Sequence, residues 1–412
     1  MNRNFWKLTL FATAAVLVSA GIRNTVGLLV NPLVESTVLS LTQVSMAMAI
    51  GQFTFGLFQP LGGILTTKYR TFTILFTGAI CLVLGFLGVR FDNSALVLVL
   101  CFGLLTPAGA AASSFPILVG YISSSIPDEK RAFSGGIINA GGSAGQFVLA
   151  PLIQICLNTW GLYGACVFLA GAAALSLVPS WFLCHGRELP SSKPPPEPSA
   201  GAGGRSSPPE KDNPGAVDAG LKKEIARAFH NKSYLFLHGG FLACGFHVAF
   251  LATHLPGEIS FFGFSPSFSA FCFSIIGICN ITGCILGGIA GGIFRLKNIL
   301  SGLYLARLLL IGSYLLAPKT IPVFIVFSVI AGLTHGATVA PTGAITARLV
   351  HPKNVSTLFA LVFVTHQIGG FFGAWLGGFI MEHSGSFVPV WILDATLSLF
   401  AAIVSFKIDE RR

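Results

Sequence analysis

Charged side chains are scarce in this chain of 412 residues, where Asp, Glu, Lys and Arg together supply 10% of the sequence. Soluble globular proteins carry about 25% charged residues, so this chain cannot coat a surface in water. The shortage excludes a soluble enzyme, a coiled coil and a disordered chain. What the sequence has instead is 53% hydrophobic residues, with 48 glycines and 22 prolines. That composition is typical of a protein whose helices cross a membrane repeatedly.

Motifs for catalysis and metal binding are also missing from the sequence. None of the nine cysteines belongs to a C-x-x-C pair, so we expect neither a disulfide framework nor a metal site. There is no G-x-x-x-x-G-K-[ST] motif to bind nucleotide phosphates, and no loop carries a nucleophile beside a base. We therefore expect a protein that is not an enzyme, needs no cofactor and is not driven directly by ATP.

Apolar runs divide the chain into twelve predicted spans. A hydrocarbon core about 30 Å thick needs roughly 20 residues of helix. Apolar runs of about this length give the predicted spans 5–34, 41–66, 71–89, 94–122, 132–156, 160–184, 234–258, 266–293, 298–317, 320–346, 355–381 and 386–406. The sequence thus predicts an all-α integral membrane protein.

The basic residues predict how the spans are oriented. If the amino terminus lies inside, 21 of the 25 lysines and arginines fall in inside segments. Lysine and arginine concentrate on the cytoplasmic side of membrane proteins, so we expect a multi-pass protein of the cell membrane with both termini cytoplasmic. The formal net charge of +10 is then a signal of topology, and no nucleic-acid partner is implied.

One long polar segment, residues 185–232, separates six spans from six. Its prolines, including Pro194–Pro196, and its Ala-Gly-Gly-Arg run cannot build a hydrophobic core. We predict a disordered cytoplasmic linker here, joining an amino-terminal bundle at 1–184 to a carboxy-terminal bundle at 233–412.

The two halves repeat each other at a shift of about 225 residues. Gly62–Ile64 reappears as Gly287–Ile289, and the spacing Gly21…Pro32 reappears as Gly245…Pro256. Equivalent helices share one orientation, so the repeat predicts two pseudo-symmetric six-helix bundles related by an axis along the membrane normal. In transporters with this arrangement, the substrate lies between the halves near the middle of the membrane.

Five stretches of the sequence carry a resemblance to a known family. They are GIRNTVGLLVNPL, GLFQPLGG, KRAFSGGIINAGGSAGQFVLAPLIQ, GFHVAFLATHLPGEI and STLFALVFVTHQIGGFFGAWLGGFI. The chain resembles the major facilitator superfamily, and within it the bacterial monocarboxylate porter and oxalate:formate antiporter group. The resemblance implies the major facilitator fold of twelve helices and secondary transport by alternating access.

Two departures from the family pattern stand out. The superfamily signature between the second and third helices has an aspartate where this sequence has Thr67, which puts the gating ion pairs of relatives in doubt here. In the oxalate and lactate porters an arginine of the eighth helix binds substrate carboxylate, and this chain offers Asn280 in the corresponding part. We count Asn280 among the candidate substrate-binding residues.

Formal charges are rare inside the predicted spans, and a charge near the bilayer centre costs several kcal/mol. We find Arg23, Arg307 and Asp394 there. Arg23 is the strongest candidate for binding a substrate anion, since a guanidinium holds a carboxylate with two hydrogen bonds. The alternative is a structural ion pair or bonds to carbonyl groups. We interpret Arg307 as structural, whereas Asp394 is structural or a proton-coupling candidate.

The repeat pairs Arg23 with a histidine. At a shift of 224 residues Arg23 corresponds to His247, so we expect the two to face each other across the cavity. His254 lies two turns further along the same helix face. Because histidine titrates near neutral pH, we hypothesise that His247 takes up a cotransported proton, with His254 and His335 as further candidates. The alternative is that these are packing histidines.

Other polar residues at the middle of the spans complete the candidate site. His366 and Gln367 of the eleventh span, and Asn139 and Gln146 of the fifth, are the remaining candidates for substrate contacts. Asn139 and Gln146 share one helix face, which lines the cavity or bonds between packed helices.

The sequence therefore predicts a secondary transporter of a small organic anion, a mono- or dicarboxylate, coupled to protons and acting as a monomer in the lipid bilayer. Two alternatives remain open. One is export of a larger hydrophobic compound, which abundant phenylalanine would suit. The other is a transport-inactive membrane sensor that signals through the linker.

Overall fold

The computed structural model describes residues 3–90, 94–123, 126, 128–185, 223–351 and 354–410, and within these ranges all regular structure is helical. The predicted linker falls largely at 186–222, which lies outside the described residues. The division of the chain at 185–232 therefore stays a prediction.

The first half of the chain contributes six membrane helices. They are α1 (Arg3–Thr25, a 3-10 turn at Val26–Leu29, then Val30–Ser36), α2 (Leu41–Lys68), α3 (Thr71–Gly88), α4 (Ala95–Leu98, a π-helical turn at Val99–Leu105, Thr106–Ala112 and Phe115–Ser123), and α5 and α6, which share Asp128–Leu175 and continue as Leu177–Cys184.

The second half contributes six more. They are α7 (Lys232–Phe261), α8 (Pro266–Ile293), α9 (Leu296–Leu316), α10 (Ile321–His335 and Val339–Leu349), α11 (Val355–Ser384) and α12 (Val388–Phe406).

The boundary between α5 and α6 decides the number of spans. Eleven helical stretches are long and apolar enough to cross a membrane, but one of them, Phe133–Cys184, has 52 residues. At 1.5 Å per residue it would be about 78 Å long, more than twice the hydrocarbon thickness. Gly161, with φ 68° and ψ −167°, breaks this stretch. α5 therefore ends and α6 begins at Gly161, which confirms the prediction of twelve helices.

Glycines let the helices approach closely at equivalent places in the two halves. In the first half, a Cβ on Gly145 of α5 would lie 1.9 Å from the carbonyl oxygen of Leu17 in α1. In the second half, a Cβ on Gly245 of α7 would lie 1.8 Å from the carbonyl oxygen of His366 in α11. Small residues at such crossings are how membrane helices pack backbone to backbone.

We call the membrane side where α1 begins and α12 ends the terminal face, and the other side the opposite face. The two halves meet tightly towards the opposite face. The backbone N–H of Thr42 in α2 donates to Glu382 Oε2 of α11 over 2.7 Å, and Asn158 Nδ2 of α5 donates to Ser267 Oγ of α8 over 3.2 Å. A Cβ on Gly27 of α1 would lie 1.8 Å from the carbonyl oxygen of Ala252 in α7.

The halves separate towards the terminal face. Residues of the terminal halves of their helices, among them Gln59, Asn139, Cys284 and Val339, line a cavity of about 170 Å³. The fold thus presents a cavity between two bundles that is sealed at the opposite face.

Candidate functional site

Two neighbouring cavities lie between the bundles. The inner one has a volume of about 20 Å³, enough for one water molecule. Its wall consists of Arg23, Asn24, Gln52, Gln146, Val248, Ala249, Leu251, Ala252, Phe273, Ile276 and His335. Asn24 also lines the larger cavity of about 170 Å³, so the two cavities adjoin at this residue, with the larger one on the side of the terminal face.

Arg23 is the only charged residue among the described residues that line either cavity. Its Nη2 donates a hydrogen bond of 2.6 Å to Gln52 Oε1 of α2, and its guanidinium carbon lies 4.0 Å from the ring centroid of Phe55. Both partners are neutral, and no carboxylate of the described residues lies within 4.0 Å of Arg23. The cavity therefore carries a positive charge that the protein does not neutralise by direct contact.

Neutral amide side chains supply most of the remaining polar wall. Asn280 Nδ2 donates to Ser143 Oγ of α5 over 2.9 Å, while Asn280 Oδ1 accepts from the backbone N–H of Gly336 in α10 over 2.8 Å. Gln146 Nε2 donates to the carbonyl oxygen of Phe273 in α8 over 3.1 Å. Asn139 is exposed in the larger cavity. The two adjoining cavities thus bring together four of the predicted candidates, Arg23, Asn139, Gln146 and Asn280.

The expectation that His247 faces Arg23 across the cavity is wrong. His247 Nδ1 lies 2.6 Å from Asp394 Oδ2 of α12, and both side chains are fully buried. Arg23 and His247 occupy equivalent positions in the sequence repeat, but their hydrogen-bond partners differ. At the shift of 225 residues Asp394 corresponds to Leu169 in α6. The first half therefore has no carboxylate at this position that could bind Arg23 inside the bundle.

His254 also lies away from both cavities. Its Nε2 is 2.7 Å from the carbonyl oxygen of Ala374, and the side chain is buried between α7 and α11. His335, in contrast, lines the inner cavity at the end of the first segment of α10. Of the predicted proton-coupling histidines, His335 alone reaches the wall of the described cavities.

His366 and Gln367 lie beside the cavities without lining them. His366 Nδ1 is 3.1 Å from Gln367 Oε1, and its ring packs 4.7 Å from the ring of Phe241 in α7. Gln367 is buried with its side chain close to Gly56 of α2. Their predicted role in substrate contact stays a prediction. Gln367 lies at the interface of α11 with α2, whereas His366 lies at the interface of α11 with α7.

Three polar residues were missed by the sequence analysis. Gln52 and Asn24 line the inner cavity, but neutral amides in apolar helices give a weaker signal than charges. Glu258 lies at the end of α7, where the predicted span stops. It is buried, accepts a hydrogen bond of 2.7 Å from Tyr314 Oη, and lies 2.8 Å from Trp391 Nε1 through each of its oxygens.

Polar cavities between two helical bundles are typical of a membrane transporter. Comparison of the sequence with known protein families identifies the family. The family model described as Major Facilitator Superfamily matches residues 11–320 and 262–412. The chain belongs to that superfamily, which confirms the predicted fold. It is a multi-pass membrane transporter and not an enzyme.

Sequence relatives extend the resemblance to the monocarboxylate group. The chain is 26% identical to monocarboxylate transporter 12 of Mus musculus over 362 residues, covering 84% of this chain and 73% of that protein. It is 23% identical to monocarboxylate transporter 13 of Rattus norvegicus over 367 residues, with 86% and 76% covered. The crystal structure of a D-xylose–proton symporter shares the fold at TM-score 0.74 and 14% identity, with 98% and 97% covered.

Proposed function

We propose that the protein is a secondary active transporter of a small organic anion, a mono- or dicarboxylate, working by alternating access and coupled to protons. A single observation carries the proposal: among the residues that the structure describes, Arg23 at the wall of the inner cavity between the bundles has neutral contact partners only. A buried cation without a counter-charge is costly in a membrane. A substrate that brings a negative charge removes that cost.

The geometry around Arg23 favours a carboxylate. Gln52 Oε1 takes one N–H of Nη2, which fixes the guanidinium while its other N–H groups remain to bind two oxygens. A planar carboxylate matches that fork with a pair of charge-assisted hydrogen bonds. The ring of Phe55 packs against the guanidinium and further restricts its orientation.

The size and wall of the larger cavity favour a small, polar substrate. An apolar cavity of about 150 Å³ accommodates benzene, so a cavity of about 170 Å³ suits a molecule of similar size. Asn24, Asn139 and Asn280 line it and offer hydrogen bonds to hydroxyl or keto oxygens. The resemblance to proteins named monocarboxylate transporters, over more than four fifths of the chain, supports the same class.

The distribution of lysine and arginine supports the topology in this proposal. With both termini and the 185–232 linker in the cytoplasm of the cell, the terminal face is cytoplasmic and the protein is open inward. His335 at the cavity wall and the buried pair of His247 and Asp394 are the groups available to carry a proton. One chain contains both bundles, so a monomer is sufficient for transport.

Uptake of radiolabelled lactate, pyruvate, oxalate and formate into proteoliposomes tests the proposal, with and without an inward proton gradient. We expect saturable uptake that the gradient raises. Arg23→Gln should lower uptake at least tenfold, because a hydrogen bond to a charged group contributes about 1.5–3 kcal/mol. The matched control is Arg90→Gln, which removes an exposed arginine beyond the end of α3 and should leave uptake within twofold of wild type.

Two results would contradict the proposal. If uptake by Arg23→Gln equals that of wild type, Arg23 does not bind the substrate and its role is structural. Failure of any short carboxylate to be transported or to compete would favour export of a larger hydrophobic compound.

A further inference from the structure

A cluster of polar residues lies inside the second bundle, behind the cavity wall. His247 of α7, Arg307 of α9 and Asp394 of α12 are each fully buried. Charges at this depth in a membrane are rare and mark functional sites more often than packing does. The anion site at Arg23 does not use any of the three.

In the pair of His247 and Asp394, only one polar atom of each side chain has a hydrogen-bond partner among the described residues. His247 Nδ1 donates to Asp394 Oδ2 over 2.6 Å, because a carboxylate oxygen can only accept from the ring. That tautomer leaves Nε2 with a lone pair. Nε2 is buried without a hydrogen-bond partner among the described residues, and so are Asp394 Oδ1 and Arg307 Nε. A buried polar atom without a hydrogen bond is unfavourable, and three such atoms in one cluster distinguish it from the single unpaired Nε2 of His238.

Charged and titratable groups on several helices interact with the pair or with its neighbours Arg307 and His335. Arg307 on α9 interacts with Asp394, and His335 on α10 interacts with His247. Around these two lie Tyr304 on α9, Cys244 on α7, His366 on α11 and Arg23 on α1. The guanidinium of Arg307 donates to Cys244 Sγ and to the carbonyl oxygens of Thr334 and His335. Arg307 and Asp394 carry opposite charges and interact with each other beside His247.

We propose that the pair of His247 and Asp394 is the proton-binding site of the transport cycle, separate from the anion site at Arg23. This inference rests on the proposed function. The proton arrives from water in the cavity and forms an N–H bond at His247 Nε2, while the hydrogen bond from Nδ1 to Asp394 persists. The same bond breaks when the proton leaves on the other side of the membrane.

His335 connects this site to the cavity. It lines the inner cavity and lies within electrostatic range of both Arg23 and His247. Val248, the residue after His247, also belongs to the cavity wall. The proton site is therefore next to the cavity but has no direct contact with the anion.

This separation predicts symport. An anion bound at Arg23 cancels positive charge near His335 and lowers the electrostatic cost of a proton on His247. Because coupling between two binding equilibria is reciprocal, the proton strengthens anion binding by the same factor. Typical couplings between sites change affinity about 5- to 150-fold.

His247→Gln in proteoliposomes tests the inference, because glutamine can still donate to Asp394 but cannot take up a proton. We expect exchange of labelled for unlabelled lactate to persist at saturating lactate, since exchange needs no net proton movement, but with a higher half-saturating concentration because the coupling to the proton is lost. Accumulation driven by a proton gradient should fall at least tenfold, and lactate-dependent acidification of the lumen, read with pyranine, should be lost.

His238→Gln is the matched control. His238 is a buried histidine of the same helix, but its Nδ1 lies 2.6 Å from the neutral Thr365 Oγ1. We expect this variant to keep proton-driven accumulation and acidification at the wild-type level.

Acidification per lactate by His247→Gln equal to that of wild type would overturn the inference. If His247→Gln does not fold, as judged by size-exclusion chromatography, Asp394→Asn gives the second test with the same expected result. Lactate exchange by wild type that depends on Arg23 is measured in parallel. Its absence would overturn the proposed function and this inference with it, whereas intact exchange with unchanged proton coupling in both variants would overturn the proton site alone.

Discussion

Glu382 of α11 caps the amino-terminal end of α2 in the other bundle, where its Oε2 accepts a hydrogen bond of 2.7 Å from the backbone N–H of Thr42. A carboxylate at a helix amino terminus interacts favourably with the helix dipole. One turn further on, Gly378 of α11 lies against Ser45 of α2. The contact therefore ties the two bundles together at the opposite face.

We predict that Glu382→Gln weakens this seal and populates a state open at the opposite face. The interaction of an exposed carboxylate with a helix terminus contributes about 0.3–1 kcal/mol, which corresponds to a two- to fivefold change in the ratio of the two states. Spin labels at Val38 and Leu316, which are 93% and 90% exposed at the opposite face, would report a larger share of long distances.

Glu410→Gln is the control for this prediction. Glu410 Oε1 accepts from the backbone N–H of Lys297 at the start of α9 over 2.6 Å, and its Oε2 accepts from Arg348 Nη1 over 2.6 Å. The variant therefore changes a carboxylate at a helix terminus within a single bundle and leaves the bundle interface untouched. The distance distribution should match that of wild type. A shift of equal size in both variants would mean that Glu382 has no particular role in the seal.

Gly27→Ala should act on the same equilibrium more strongly. Its Cβ would lie 1.8 Å from the carbonyl oxygen of Ala252 across the bundle interface, whereas a Cβ on Gly145 would meet Leu17 within the first bundle. We expect Gly27→Ala to shift the distances between the labels with little change in melting temperature. Gly145→Ala should lower the melting temperature instead. Equal melting temperatures in the two variants would contradict this assignment.

Gln52 should position Arg23 for the substrate. Gln52→Leu removes the hydrogen bond that fixes the guanidinium, and we expect lactate affinity to fall about fivefold, the effect of roughly 1 kcal/mol. Gln52→Glu places a carboxylate 2.6 Å from Arg23 if the wild-type geometry is kept. That internal anion should abolish lactate binding, so a glutamate variant that binds lactate as well as the leucine variant would contradict the role given to Arg23.

Glu258 should stabilise the second bundle. It joins α7 to Tyr314 of α9 and Trp391 of α12. Glu258→Ala leaves both donors buried without a partner, at a cost of about 1–3 kcal/mol for each. We expect its melting temperature to fall below that of Glu258→Gln, in which the amide oxygen still accepts. Equal stability of the two variants would show that the hydrogen bonds contribute little.

The number and order of the helices could be predicted from the sequence because each span needs an apolar run of fixed length. Even the fused stretch Phe133–Cys184 was divided correctly, with predicted spans ending at 156 and beginning at 160, close to the break at Gly161. Arg23 could also be found, since a charge inside a span is rare. The structure places Arg23 at the wall of the inner cavity between the bundles.

Partners across the fold could not be predicted in the same way. Asp394 lies 147 residues from His247, and no local pattern pairs them. The repeat suggested a symmetric arrangement of Arg23 and His247, but one carboxylate present in α12 and not in α6 broke that symmetry. Gln52 could not be predicted for a different reason. Its proposed role depends on one hydrogen bond to Arg23, which forms only because α1 and α2 cross at this point.

The most direct measurement compares binding of lactate and of lactamide, its neutral amide, to the purified protein and to Arg23→Gln. If Arg23 holds the substrate's negative charge, wild type should bind lactate at least tenfold more tightly than lactamide, and Arg23→Gln should bind the two with similar affinity. Equal affinity of wild type for both compounds, or a preference for lactate that survives in Arg23→Gln, would contradict the central claim that Arg23 recognises a carboxylate.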